Sequence, residues 1–470
     1  MIEVYPFAGY PVALMGLGKS GMATAKALIK SGAEVWAWDD SAERRAEAER
    51  AGVPLVDLSE KEFAGVTTLV LSPGIPHTYP RPHPVAARAR AAGLEIICDV
   101  ELLGRSQRAA AFVGITGTNG KSTTTALIGH ILGLAGRAVQ VGGNLGTPAL
   151  ALEPLDEGGI YVLEMSSYQL ELTLSVTFDV GVLTNISPDH LDRHGGMAGY
   201  VAAKRRIFHR QTAPRAAVVG VDDTAARGIC DELLAAREQI VVPISAERRI
   251  ERGVYVLEGR LIDDTEGKAS EVADLADIPT LPGRHNWQNA AAAYAAAKPM
   301  GVHPVAIAAC LRSFPGLAHR QELVTVIDGV RYVNDSKATN ADAAEQALVC
   351  YERIYWIAGG RPKEGGIEPL KPHFHRIVHA YLIGEAAAAF AKTLGRAVPH
   401  TLAGTLDQAV AAASKAARLE PGRGAVVLLS PACASWDQFA NFEARGEAFR
   451  ALVDALPGRR TAWQPAEAPT

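Results

Sequence analysis

At 470 residues, with 48% hydrophobic and 21% charged positions, the chain is too long for one core and too apolar for wholesale disorder, and about three domains are expected. A net charge of -4 offers no basic field for a nucleic acid partner. Five scattered cysteines (Cys98, Cys230, Cys310, Cys350, Cys433) exclude a disulfide framework and a zinc site.

The opening Met1-Ile2-Glu3-Val4-Tyr5 has no basic stretch leading into an apolar one, and no uncharged apolar run reaches the roughly 18 residues of a membrane span. A cytoplasmic protein without membrane insertion is expected. Apolar β-branched runs alternate with alanine-rich helical stretches from end to end, the pattern of an α/β protein.

The first block, residues 1–100, opens with a strand at 12–15 and the turn Gly16-Leu17-Gly18-Lys19-Ser20-Gly21, followed by a helix through Leu28 and a strand ending at Asp39. G-x-G-x-x-G after a strand is the dinucleotide fingerprint, yet many such turns serve only tight strand-to-helix packing, so both readings stand. The second block, 101–314, restarts at 111–116 and runs to a helix around 290–298. The third, 315–470, follows Phe314-Pro315-Gly316, with strands near 323–327, 330–334, 354–358, 380–383 and 425–429.

The strongest local signal is Gly117-Thr118-Asn119-Gly120-Lys121-Ser122-Thr123, between a buried-type strand and an apolar helix. Glycines let the backbone wrap around phosphate oxygens, with amide N–H groups converging at the helix start. Lys121 can reach the terminal phosphates and the Ser122 hydroxyl can ligate magnesium. The upstream glycine is Gly114, one position away from the usual phosphate-loop spacing, where Ile115 stands.

In an open parallel sheet, ligands bind beyond the carboxyl ends of the strands. Tyr161-Val162-Leu163-Glu164 ends in a carboxylate, and the strand at 180–184 runs into Asn185-Ile186-Ser187-Pro188-Asp189-His190. Glu164 and His190 would therefore converge on the phosphate loop and hold magnesium, His190 alternatively orienting substrate. A blander reading has Glu164 capping a helix and His190 satisfied in a turn. Lys204, on an amphipathic helix, reads by itself as a solvated surface lysine.

Together the phosphate loop, Glu164-Met165-Ser166-Ser167, Asn185-x-x-x-Asp189-His190-Leu191-Asp192 and Ala203-Lys204 resemble the Mur ligase family, in the same order along nearly the whole chain. In the third block, Asn334-Asp335-Ser336-Lys337-Ala338-Thr339-Asn340 and Leu429-Ser430-Pro431-Ala432-Cys433-Ala434-Ser435-Trp436-Asp437 are similar to the D-glutamate-adding branch, as is Ser72-Pro73-Gly74-Ile75-Pro76 in the first. The resemblance implies three domains: a Rossmann-like N-terminal domain for a UDP-sugar, a central P-loop-type ATPase domain with a mostly parallel sheet, and a Rossmann-like C-terminal domain for the amino acid. It implies an ATP-dependent amide ligase working through an acyl phosphate, with ATP, two magnesium ions and a carbamylated Lys204 as its cofactors, UDP-N-acetylmuramoyl-L-alanine and D-glutamate as its substrates, and a monomeric state.

By the same resemblance Lys121, His190 and Lys204 are catalytic. Gly117, Thr118, Asn119, Gly120, Lys121, Ser122, Thr123, Asn286, Asn289, Arg320 and Asp335 would bind ATP, although Asn286 also reads as a helix N-cap. Ser20, Asp39, Asp40, Gly74, Asn144, Ser166 and His190 would meet the UDP-sugar substrate. Thr339, Lys363, Ser435 and Phe442 would surround D-glutamate, with Lys363 the charge partner of its side-chain carboxylate unless it is a solvated lysine. The metal ligands would be Ser122, Glu164, His190 and Lys204. Two other readings are a folylpolyglutamate synthetase-like ligase and a non-catalytic nucleotide-sensing module, the second predicting ATP binding without phosphate release.

Overall fold

The computed structural model describes residues 1–144, 146–362, 365–419 and 424–461. The chain divides into two compact units, Met1–Ala273 with Asn286–Ser313, and Asp274–His285 with Phe314–Thr470.

In the first unit, four short apolar runs form a parallel sheet: β1 (Pro11–Met15), β2 (Glu34–Trp38), β3 (Thr68–Leu71) and β4 (Glu95–Ile97), in the order β2-β1-β3-β4. The connections leave β1 in opposite directions, so the turn after β1 sits at the switch point where such sheets bind ligands. That turn is tight. A Cβ on Gly21 would lie 1.8 Å from the Gly16 carbonyl oxygen, so helix Lys19–Lys30 can approach the strand only with glycine there.

A second, nine-stranded sheet follows: β5 (Ala111–Thr116), β6 (Val139–Gly143), β7 (Ile160–Glu164), β8 (Val180–Leu183), β9 (Ala216–Gly220), β10 (Ile240–Ser245), β11 (Val254–Leu257), β12 (Arg260–Asp263) and β13 (Ser270–Asp274). Their order is β13-β12-β11-β10-β9-β8-β5-β7-β6, parallel from β6 to β11 and antiparallel at β11–β12. β7, β8 and β9 are buried on both faces, as continuous apolar runs under covering helices should be. One apolar cluster takes in Leu14, Leu69 and Leu102 from the first sheet's layer and Tyr161, Leu163 and Phe178 from the second's. β5 is the switch point here, with β7 and β6 on one side and β8 to β10 on the other.

The second unit holds β14 (Glu322–Ile327), β15 (Val330–Asn334), β16 (Arg353–Gly359), β17 (Ile377–Ile383), β18 (His400–Gly404), β19 (Ala425–Leu429) and β20 (Arg460–Thr461), ordered β18-β17-β16-β19-β15-β14-β20. The strands from β18 to β15 are parallel, and β14 pairs antiparallel with both its neighbours. Along β16, Trp356 packs into the apolar cluster on one face while Tyr355 and Ile357 pack into that on the other, the two-residue period of a strand.

The mixed α/β architecture with three mostly parallel sheets is as expected, and the predicted apolar strands are present. The hairpin β11–β12 and the edge strands β13, β18 and β20 were not anticipated, being short or partly polar. Helix Gly283–Ala297 starts well before the predicted 290, because its polar first turns are buried: Asn286, Gln288 and Asn289 all face inward. Among the described residues no helix is long and apolar enough to cross a membrane.

Gly21→Ala is expected to cost about 1–3 kcal/mol, the usual penalty of overpacking. Urea denaturation of the variant measures it, and a midpoint equal to the parent's would show that the strand-to-helix approach has room to spare.

Candidate active site

The sequence between β5 and helix Lys121–Leu134 makes a loop that glycine alone permits. Gly117 and Gly120 have φ of 150° and 83°. A Cβ on Gly117 would lie 1.9 Å from Thr184 Oγ1, and one on Gly120 2.2 Å from Asn289 Oδ1. No side chain caps the helix, whose N-cap is Gly120, so its positive end faces the loop and suits an anion.

The loop is braced from behind. Thr118 N donates to Asn185 O at 2.9 Å, Asn119 N to Asn185 Oδ1 at 2.9 Å, and Thr184 Oγ1 to Asn119 O at 2.7 Å. Asn289 Oδ1 accepts from Thr124 Oγ1 at 3.3 Å while its Nδ2 donates to Asn286 Oδ1 at 3.2 Å, which brings both asparagines beside the loop. Asn286 lies inside helix Gly283–Ala297, so the N-cap reading of it is corrected. Lys121 curls over its own loop, donating to Gly117 O at 2.9 Å and Thr118 O at 2.8 Å, and Ser122 and Thr123 are buried at the helix start.

Glu164 ends β7, paired in register with Ile115 of β5. It is buried; Oε1 accepts from Asn144 Nδ2 at 2.7 Å, and Oε2 is without a protein hydrogen bond. The helix cap nearby is Ser166, whose Oγ accepts from Gln169 N at 3.2 Å in a capping box, so Glu164 is not the cap. An orphaned carboxylate oxygen beside a phosphate loop fits a hard cation such as magnesium, which takes one or two carboxylates and fills its shell with water and phosphate. Among the described residues no group of three or more His, Cys, Asp or Glu side chains gathers to hold a metal alone.

His190 sits in a left-handed turn (φ 50°), half exposed, its ring 5.2 Å from that of Tyr168 and its Nε2 3.5 Å from Asp189 Oδ2. Lys204 corrects its solvated reading. It is 2% exposed, its Nζ donates to Gly117 O at 2.7 Å, and it stands 4.6 Å from the centroid of Tyr200. Burial, and then the neighbouring Lys121 ammonium, push its pKa well below the ordinary 10.5, against the pull of Asp189 and Glu164. Burial and Lys121 both favour the uncharged amine, which is the nucleophilic form.

At the first sheet's switch point, Ser20 lines a small recess with Gly21, Ser72 and Pro73. Asp39 is buried and committed to the loop itself, Oδ2 accepting from Leu17 N at 2.7 Å and Oδ1 from Ser41 N at 2.8 Å. Asp40 is exposed and 2.9 Å from His83 Nε2, and Gly74 O accepts from Arg193 Nη1 at 2.9 Å.

In the second unit, Asp335 follows β15, its Oδ1 accepting from Gln321 N at 3.1 Å and Oδ2 from Ser430 Oγ at 2.8 Å; burial raises its pKa to about 7, with Arg320 among the groups that oppose the rise. Thr339 and Ser435, on loops, and Phe442, at the start of helix Phe442–Asp454, are gathered by one residue that sequence reasoning missed. Arg445, 1% exposed, donates from Nη2 to Ser336 O at 2.8 Å and Cys433 O at 3.1 Å and from Nε to Ser336 Oγ at 3.0 Å, while Ser336 Oγ donates to Phe442 O at 2.8 Å. A signal was present: Arg445 stands on the apolar stripe of Phe442, Phe449 and Val453. Burial lowers its pKa to about 10. Lys363 lies outside the described residues. Also missed was Glu171, which bonds both His77 and His194; burial works to raise its pKa, but those two imidazoles draw it down to about 2.

The Mur ligase middle domain matches residues 115–297, and the Mur ligase, glutamate ligase domain matches residues 319–433. The UDP-N-acetylmuramoylalanine–D-glutamate ligase of Rhodospirillum rubrum is 56% identical over 470 residues, covering 99% of this chain and 98% of that one. The ligases of the same name from Caulobacter vibrioides and Rhizobium meliloti are 53% and 52% identical, each covering 97% of this chain and 98% and 99% of their own. Among solved structures, the UDP-N-acetylmuramate-alanine ligase of Thermotoga maritima shares the fold at TM-score 0.56 and 16% identity, covering 95% of this chain and 99% of that one. A pseudomurein peptide ligase type C of Methanothermus fervidus does so at TM-score 0.54 and 18% identity, with coverage of 95% and 99%.

The depressed Lys204 pKa has a sign that can be checked. The unfolded chain keeps that proton up to about pH 10.5 and the folded chain releases it earlier, so the fold gains stability as pH rises through the interval between. Lys204→Met removes the cost of burying the cation. Its melting temperature is expected to exceed the parent's most at low pH, with the gap narrowing toward pH 10.5; a pH-independent difference would contradict the assignment.

Proposed function

The chain belongs to the Mur ligase family, and from that premise we propose that it is an ATP-dependent ligase that joins D-glutamate to UDP-N-acetylmuramoyl-L-alanine, releasing ADP and phosphate. The observation that carries this is the convergence of an uncapped phosphate loop, a carboxylate with an orphaned oxygen and a buried lysine whose pKa is pushed down, around the ends of β5, β7 and β8. The full-length relatives of that activity disfavour a folylpolyglutamate synthetase or a sensing module. We assign residues 1–100 to the UDP-sugar, 101–314 to ATP and 315–470 to D-glutamate, and the protein to the cytoplasm, where its nucleotide substrates are.

A carboxylate is a poor acyl donor because oxide is a hopeless leaving group. Phosphorylation by ATP at the alanyl carboxylate supplies a competent one, and the amine of D-glutamate then displaces phosphate to leave an amide. The obstacle is charge: triphosphate, incoming carboxylate and the acids of the site repel one another. Lys121, released from Gly117 O and Thr118 O, meets the terminal phosphates, and the positive end of the helix attracts the rest. Magnesium, when bound, would neutralise phosphate charge, held by Glu164, Ser122 and the modified Lys204, with His190 the remaining candidate.

The lowered pKa of Lys204 favours the state that carbamylation requires. An uncharged amine adds CO₂, forming an N–C bond and shedding one proton, and so places an anion beside Lys121. Asn286 and Asn289 back the nucleotide, while Arg320 and Asp335 contact its phosphate and ribose. Ser20, Asp39, Asp40, Gly74, Asn144 and Ser166 receive the UDP-sugar. Thr339, Ser435 and Phe442, gathered around Arg445, hold D-glutamate together with Lys363.

Lys121→Ala is expected to lower turnover by at least about 10²–10³-fold, as loss of a transition-state cation does. The test is phosphate release with UDP-N-acetylmuramoyl-L-alanine, ATP and a panel of D- and L-amino acids; release with L-glutamate in preference to D-glutamate would overturn the substrate assignment. Lys204→Ala is expected to be comparably impaired and partly rescued by small carboxylates. Undiminished activity of the wild type in CO₂-free buffer would rule the carbamate out.

A further inference from the structure

Four segments meet at His194, whose side chain has no role in the scheme above. It is fully buried, with Nδ1 2.9 Å from Glu171 Oε1 and Nε2 2.9 Å from Ser167 Oγ. An ionised carboxylate only accepts, so Nδ1 donates to Glu171, and Nε2 is hydrogen-bonded to the Ser167 hydroxyl. The ring stacks on Tyr168 (5.4 Å, 17°) and tilts against Tyr200 (5.4 Å, 50°). Its backbone is pressed as well: a Cβ on Gly199 would lie 1.8 Å from His194 O. A ring with both nitrogens bonded and two aromatic neighbours has a single orientation.

The other oxygen of Glu171 lies 3.0 Å from His77 Nε2, and the residue before His194, Arg193, holds Gly74 O at 2.9 Å. The turn at 190–194 is thus tied twice to the loop at 74–77. Each remaining partner leads to a group of the proposed reaction. Ser167 follows Ser166 and opens the helix behind Glu164; Tyr168 stands 5.2 Å from the His190 ring; Tyr200 OH is 3.1 Å from Thr118 Oγ1 and lies against Lys204.

Resting on the ligase reading, we propose that His194, fixed by Glu171 and Ser167, is a positioning residue for the UDP-sugar substrate, setting Gly74, Ser166 and His190 in register with one another. The ring is sealed from solvent, so it acts through these neighbours. Its loss should therefore weaken binding of one substrate rather than all three.

The test is steady-state kinetics of the full chain with UDP-N-acetylmuramoyl-L-alanine, ATP and D-glutamate. Wild-type ADP release comes first; its absence would sink the ligase reading itself. His194→Phe keeps the ring and removes both hydrogen bonds. It is expected to raise KM for the UDP-sugar about tenfold or more, with kcat within about threefold and KM for ATP and D-glutamate unchanged. Glu171→Gln should shift the same constant, and the double variant should be no worse than His194→Phe, because both act on one node. Equal losses for all three substrates, or an unchanged UDP-sugar KM, would overturn the proposal. Should His194→Phe fail to fold, His77→Ala removes only the outer arm and is expected to raise that KM about threefold; no change would overturn it equally.

Discussion

Two lysine amines donate to one carbonyl oxygen, that of Gly117, and the rest of the candidate site is arranged around that crowding. Two full charges about 4 Å apart repel by about 4 kcal/mol at an effective dielectric of about 20. The protein relieves the repulsion by burying Lys204 until it holds its proton weakly, and it keeps Asp189 and Glu164 close enough to limit the effect. The glycine at 117 is what allows its carbonyl to be shared, since any side chain there would strike Thr184.

The sheets explain why such different residues meet. β5, β7 and β8 are adjacent and parallel, so Thr116, Glu164 and Leu183 end at one level and their loops open on one edge. None of these residues needs a long side chain to reach the phosphate loop. In the second unit the equivalent edge is held differently, by a buried guanidinium that collects carbonyl oxygens from two loops. There an arginine supplies what backbone pairing supplies in the first unit: fixed loops with no flexible tether.

Much of this was legible in the sequence. Runs such as Ala111–Thr116 and Ala425–Leu429 are apolar on both faces and admit few readings, and the Gly-Lys-Ser-Thr loop announces its chemistry through spacing. What failed did so because a periodic pattern does not say where a helix points. Lys204 occupies a polar position on helix Met197–Arg205, and only the packing of that helix over the phosphate loop turns the amine inward. Asn286 looked like a cap because asparagine usually is one, whereas here it is a buried partner of Asn289. His194 gave no local signal, since its partners Ser167 and Glu171 come from a segment about 25 residues earlier and meet it through the sheet.

The uncapped helix start, the crowded lysines and the orphaned Glu164 oxygen are all faults when judged as parts of an empty protein. In the proposed reading each would be mended by a nucleotide and its cation, so the ligands would complete the interior much as missing side chains would. Ligand occupancy and folding are then one equilibrium: a hundredfold excess of ligand over its Kd adds about 2.7 kcal/mol to stability. Substitutions that repaired those faults from within would make a sturdier polypeptide with nothing left for a ligand to mend.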